Sequence, residues 1–231
     1  MTILNAYENG AALAEALADR VASVLREGLA ERGAATLAVS GGTTPGRFFD
    51  ALSTRALDWE KVTVTLVDER FVPRDNPRSN HGLVAERLLK NAAASARFLP
   101  LYHAADTAED AARIASAEAD RLPRPFDAVI LGMGNDGHTA SFFPGGNHLA
   151  QALDVEGRQA VLTMEADGAG EPRLTFSFPW LRDARLLVVH IEGQGKRDVL
   201  DKATAGRDET EMPVRAILKR AKTEPEIYWA P

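Results

Sequence analysis

The segment FDAVILGMGNDGHTASFFPG, residues 126–145, concentrates side chains able to do chemistry. Asp136 and His138 stand two apart in a glycine-rich stretch after an apolar run, close enough for a carboxylate to orient an imidazole as general base. Gly132, Gly134 and Gly137 in the same stretch also satisfy G-x-G-x-x-G, a dinucleotide-binding fingerprint. That fingerprint needs a helix directly after the glycines and a second strand ending in an acid. Pro144, Gly145 and Gly146 interrupt any long helix, and Asp154 and Glu156 precede the next apolar run instead of ending it. The glycines are therefore assigned to a catalytic loop. Ser141 lacks the G-x-S-x-G setting of a nucleophile and reads as structural or loop-stabilising. His81, His103, His148 and His190 have no comparable surroundings and also read as structural.

Three further stretches carry groups suited to an anionic or hydroxylated ligand. In LAVSGGTTPGRFF, the backbone and hydroxyls of Ser40, Gly41, Gly42, Thr43 and Thr44 precede an expected helix, whose N-terminal dipole favours a phosphate. No lysine follows in the Walker A position. The same letters equally fit a tight turn with Thr44 as N-cap and Pro45 in the first helical turn. In VTLVDERFVP, strand alternation predicts Asp68 and Arg70 on one side and Glu69 on the other, although an isolated D-E-R is more simply a salt bridge at a strand end. Ser79, beyond it, suits a helix cap. In VVHIEGQGKRDVL, Lys196 opens a helix, where the dipole disfavours a cation unless an anion sits nearby; a solvated lysine is the plain alternative.

These loops need a scaffold. Leu13, Leu17, Val21, Val24 and Leu25 recur at helical spacing within residues 11–32, and Gly33 is placed to stop that helix. ATLAVSGG, VTVTLVDER, FDAVILGMG, QAVLTM and ARLLVVHIEG read as strands, and NHGLVAERLLKNAA, DTAEDAARIASAEADRL and GKRDVLDKAT as helices between them. The alternation predicts an α/β fold: a single-domain, Rossmann-like, mostly parallel sheet with helices on both faces, spanning residues 1–231. In such a sheet the functional loops follow the carboxyl ends of the strands, where all four stretches fall.

Composition narrows the function. Absence of cysteine excludes disulfides, thiolate nucleophiles and cysteine-based zinc sites. A net charge of −6 argues against nucleic acid as a partner, because such binding rests on a basic surface. An anionic small molecule would need a local gathering of cations, for which Arg47, Arg70, Arg74, Arg78 and Lys196 are the candidates. The early acids and the lack of a long apolar run predict neither signal peptide nor membrane span, and a cytoplasmic location.

Taken together and in this order, LAVSGGTTP, TLVDERFVP, SNHGL, ILGMGNDGHTASFFPG and EGQGKRDVL resemble the 6-phosphogluconolactonase family, from about Leu37 to the terminal EIYWAP. That family is similar in fold and ligand site to the glucosamine-6-phosphate deaminases. The resemblance implies hydrolysis of a sugar-phosphate lactone, 6-phosphoglucono-δ-lactone, in the pentose phosphate pathway, with no metal or organic cofactor and as a monomer or small homo-oligomer. Carried onto this chain, it makes His138 the base for water, with Asp136 as its partner or a substrate contact. The Ser40–Thr44 loop becomes a ligand-binding loop, Arg70 and Lys196 anion contacts, and Asp68 a partner for sugar hydroxyls. Amino-sugar-phosphate deaminases, the rival reading, typically carry a glutamate before the proline after D-G-H and an aromatic residue after Asp-Glu. Phe143 and Arg70 occupy those positions here, which favours the lactonase. A non-catalytic sugar-phosphate-binding domain is the other alternative; it would ordinarily accompany a DNA-binding segment, and no basic cluster of that kind is present.

Overall fold

The computed structural model describes residues 3–231. The chain opens with β1 (Ile3–Ala6), α1 (Gly10–Arg32), β2 (Ala35–Val39) and α2 (Gly46–Ser53). There follow β3 (Val62–Leu66), β4 (Asp68–Arg70), α3 (Asn80–Arg87), β5 (Arg97–Leu99) and α4 (Ala108–Ala119). Next come β6 (Ala128–Leu131), α5 (Leu149–Leu153), β7 (Val161–Met164), β8 (Arg173–Phe176) and α6 (Phe178–Leu181). The last elements are β9 (Leu186–Glu192), α7 (Gln194–Ala205), α8 (Val214–Arg220) and β10 (Glu226–Ala230).

Helix α1 forms as its apolar spacing predicts. Leu13, Leu17, Val21 and Leu25 are fully buried on one stripe, and each such side chain contributes about 1.5–3 kcal/mol by leaving water. Asn9 caps the start by accepting from the Ala11 and Ala12 amides, and Gly33 ends it by donating to Leu29 O at 2.9 Å.

Seven strands form one sheet in the order β1-β10-β9-β6-β2-β3-β5, and each neighbouring pair is parallel. Every residue of β2 and β6 is buried; since successive side chains point to opposite faces, both faces of the sheet are covered there. From β2 the chain proceeds outward through β3 to β5, then crosses back to β6 and continues outward through β9 to β10. The β2/β6 boundary is thus a topological switch point, and the crevice beyond its carboxyl ends is where this architecture binds ligands.

Two expected strands belong elsewhere. VTVTLVDER is not one strand: Val67 donates to Val39 O, in line with the main sheet, while its own carbonyl accepts from Phe176 N. The chain changes partners at that residue, and β4 joins β8 and β7 in a separate three-stranded antiparallel sheet. The expected strand QAVLTM supplies β7 of this small sheet and does not enter the parallel one. β1, β5, β8 and β10 lie outside the strands expected from sequence.

Candidate active site

The loop after β6 is a tight backbone knot. Gly134 N donates to His138 O at 2.8 Å and Gly137 N to Gly134 O at 3.1 Å. This winding brings Asp136 Oδ1 to 2.6 Å from His138 Nδ1, and the same oxygen accepts from the His138 amide at 3.1 Å. A methyl group on Gly134 would lie 2.1 Å from His138 Nδ1, so only glycine leaves room for the imidazole against its own loop. Burial would raise the Asp136 pKa, but the hydrogen bond and charge of His138 outweigh it and hold the carboxyl below its usual range. An ionised Asp136 fixes the tautomer: Nδ1 carries hydrogen, and Nε2 keeps the lone pair that can take a proton. The His138 ring packs against Phe143 at a tilt of 34°, with centroids 4.4 Å apart.

His138 opens onto a cleft of about 250 Å³ at the β2/β6 switch point. Ser40, Gly41, Gly42, Thr43, Thr44, Asp68, Arg70 and Lys196 all line it, so every expected binding residue converges there; Asp136 stands behind His138. Ser40 is committed to the seam between the strands, donating to Ile130 O at 3.1 Å and accepting from Gly132 N at 2.9 Å. The N-cap of α2 is Pro45, in helical conformation, and no side chain caps the helix. The capped-turn alternative with Thr44 is therefore not what the chain does, and the first turn of α2 keeps backbone donors for a ligand.

The far wall comes from β4 and β8. Asp68 and Arg70 line the cleft, whereas Glu69 is fully buried, as alternation requires. Glu69 accepts from the amides of Arg70, Asn80 and His81 and from Ser79 Oγ, at 2.7–3.1 Å. Burial nonetheless raises its pKa against those bonds. Ser79 also caps α3 by accepting from Gly82 N, as expected. Asp68 Oδ2 accepts from Ser141 Oγ at 2.6 Å, a tie that agrees with Ser141 as a loop-stabilising residue. Arg70 donates to Arg78 O, but its Nε is buried without a hydrogen-bond partner.

Arg173, Asn80 and His190 are polar cleft residues that sequence reasoning missed. Arg173 is 6% exposed, lies 4.0 Å from Asp68 Oδ2, and holds its guanidinium over the Phe143 ring. Burial lowers its pKa, with Asp68 opposing and Arg70 reinforcing. The available signal was the alternation in RLTF, which puts Arg173 and Thr175 on one face and Leu174 and Phe176 on the other. Asn80 lies in the SNHGL motif, and Gly41 is pressed so close that a methyl there would meet Asn80 Oδ1 at 1.9 Å.

Lys196, in the first turn of α7, donates to Met133 O at 2.7 Å. Burial lowers its pKa and Asp136 partly restores it. The remaining expected cations face elsewhere: Arg47 pairs with Glu192 and Arg78 with Glu171, while Arg74 is exposed. Among the histidines, His81 stacks on Phe98, His103 faces Glu118 and His148 bonds Thr163. His190 departs from its structural reading in lining the cleft. Among the described residues no group of three or more metal-ligating side chains occurs, and no helix is long and apolar enough to cross a membrane.

A family model described as glucosamine-6-phosphate isomerases/6-phosphogluconolactonase matches residues 8–229. The chain belongs to this family. A family relative, the 6-phosphogluconolactonase of Rhizobium meliloti (strain 1021), is 62% identical over 228 residues, covering 99% of this chain and 98% of that protein. The crystal structure of a 6-phosphogluconolactonase from Shewanella baltica OS155 superposes with a TM-score of 0.95 at 38% identity, over 100% of this chain and 98% of that one. A monomeric glucosamine-6-phosphate deaminase shares the family fold, with a TM-score of 0.80 at 20% identity, over 99% and 97% of the two chains.

Proposed function

We propose that this protein is a hydrolase that converts 6-phospho-D-glucono-1,5-lactone to 6-phosphogluconate by general-base activation of water. The observation that carries the reading is the Asp136–His138 pair, 2.6 Å apart, facing a cleft that also presents Arg70, Arg173 and Lys196. A δ-lactone is an activated ester, so positioned water, a base and stabilisation of the oxyanion suffice. His138 Nε2 takes a proton as water attacks C1, and the carbonyl oxygen becomes an oxyanion. Collapse breaks the bond between C1 and the ring oxygen, which takes the proton back from His138 and leaves as the C5 hydroxyl. Asp136 keeps the imidazole oriented and balances its positive charge between the two transfers.

Residues 41–44, the first turn of α2 and Lys196 supply donors for the phosphate, while Ser40 ties their loop to β6, and Arg70 and Arg173 complete the positive lining. Asp68, held by Ser141, is placed to accept from sugar hydroxyls. The proposed setting is the oxidative pentose phosphate pathway in the cytoplasm, without metal or organic cofactor; chelator treatment is expected to leave the rate unchanged, and a loss restored by a specific metal would contradict that.

The deaminase reading lacks its acid at one position: Phe143, 3% exposed and packed against His138, fills the place before Pro144 where that group typically carries glutamate. The two readings separate in one experiment. Supplied in turn with 6-phosphogluconolactone and glucosamine 6-phosphate, the protein should release acid from the first, above the spontaneous rate, and no ammonia from the second. Ammonia release without lactone hydrolysis would reverse the assignment.

A further inference from the structure

A second imidazole reaches the cleft from β9. Val188, His190 and Glu192 share one face of that strand by alternation. His190 is 3% exposed, meets the Phe48 ring edge-on with centroids 6.4 Å apart, and lines the same cleft as Lys196 and the Ser40–Thr44 loop. Its Nε2 lies 3.3 Å from Glu192 Oε1, and Glu192 Oε2 lies 3.2 Å from an Arg47 guanidinium nitrogen. Arg47 and Phe48 both belong to the first turn of α2. A chain of charged and polar groups therefore runs from the surface, beside the uncapped start of that helix, to the floor of the cleft.

This arrangement is costly for an imidazole that only fills space. A leucine would occupy a similar volume beside Phe48 without the penalty of burying polar nitrogens. The Glu192 carboxyl is held below the usual range, chiefly by its hydrogen bond from His190, with burial opposing. With Nε2 committed to Glu192, Nδ1 is the nitrogen left for a ligand.

We propose that His190, held by Glu192 through Nε2, is a further substrate-binding residue that in its doubly protonated form donates from Nδ1 to the substrate phosphate beside Lys196 and α2. Its contribution selects phosphorylated over unphosphorylated lactones. The proposal rests on the lactonase reading for the identity of the anion, and on the geometry alone for its location.

The test compares wild type, His190→Leu and Glu192→Gln on 6-phosphogluconolactone and glucono-δ-lactone, with inorganic phosphate as an independent probe. A hydrogen bond to a charged group is worth about 1.5–3 kcal/mol, so His190→Leu should raise KM for the phosphorylated lactone by roughly 10- to 150-fold. The loss should fall on KM more than on kcat, and kcat/KM for glucono-δ-lactone should fall far less than that for its 6-phosphate. Glu192→Gln should shift KM the same way by a smaller factor. Phosphate binding, followed by calorimetry, should weaken in both variants. Equal losses on both lactones, or unaltered KM and phosphate affinity in folded His190→Leu, would overturn the proposal. Should wild type leave 6-phosphogluconolactone untouched, the functional reading fails, and the phosphate titration still decides the role of His190.

Discussion

The loop that carries His138 and the wall formed by β4 and β8 face each other across one cleft, yet they hold their polar groups by different means. In the loop, Asp136 and His138 are paired through local backbone turns, and their side chains remain 45% and 32% exposed. In the wall, the Asp68 and Arg173 side chains are 10% and 8% exposed; Asp68 is held by Ser141, distant in the chain, while Arg173 donates to Ala169 O and meets Asp68 only through the β4–β8 pairing. Glu69 adds four donors from four different residues. The loop can therefore lose its chemistry while the fold stands, whereas the wall cannot be changed without leaving buried polar groups unpaired.

That contrast separates activity from stability in a set of variants. His138→Ala should lower kcat by about two to four orders of magnitude, the range for a positioned acid-base group, with product binding and melting temperature near wild type. Wild-type turnover, corrected for spontaneous hydrolysis, would remove the imidazole from the mechanism. Gly134→Ala should follow, with a loss of roughly 100-fold, because the added methyl displaces the ring from its attack position while the surrounding core is untouched. A crystal structure of that variant with the imidazole unmoved would break the account of the loop.

Glu69→Gln reads the other side of the contrast. Its amide nitrogen must confront a backbone or hydroxyl donor, so stability should fall by about 1–3 kcal/mol in urea titration, with any surviving folded protein still holding the His138 pair. The Glu69 carboxyl also gives a sign for pH. Its folded pKa is raised, so its contribution is fully present below the unfolded value of 4.5 and is lost as pH rises through the folded value. In wild type that loss should be visible as a decline in stability as pH rises from 4.5 through the raised folded value, and Glu69→Gln should flatten it.

The smallest effect lies within the loop. The Asp136 carboxyl is held below its usual range by His138 against the opposing effect of burial, so removing the imidazole should move its titration upward. Carboxyl NMR of His138→Ala would show that rise; an unchanged Asp136 titration would mean that the pair is not coupled in solution.

The same contrast explains what the sequence could disclose. Asp136, His138, the Ser40–Thr44 loop and Lys196 follow directly on strands β6, β2 and β9, so proximity in sequence carries their convergence once a parallel sheet is expected. Helix α1 was legible for a similar reason, as its buried stripe and Gly33 stop are local. Arg173 joins Asp68 only through the β4–β8 pairing, and no local pattern records which strand will be its neighbour. The apolar run through Leu66 and Val67 conceals the change of partners that splits VTVTLVDER, since both sides of the break are buried. Strand β5, of three residues, is too short to show a period at all. His190 reads as structural because a lone histidine more often is, and only the fold puts α2 and the cleft beside it.

The most direct test of the central claim is the ratio of kcat/KM for 6-phosphogluconolactone to that for glucono-δ-lactone in the wild-type protein. Binding of the phosphate by the α2 loop and Lys196 should place C1 at His138, and remote binding energy of this kind is spent on orienting the reacting carbon. The expected ratio is about 100 or more, each rate corrected for spontaneous hydrolysis. Equal values for the two lactones would contradict a site built around the phosphate.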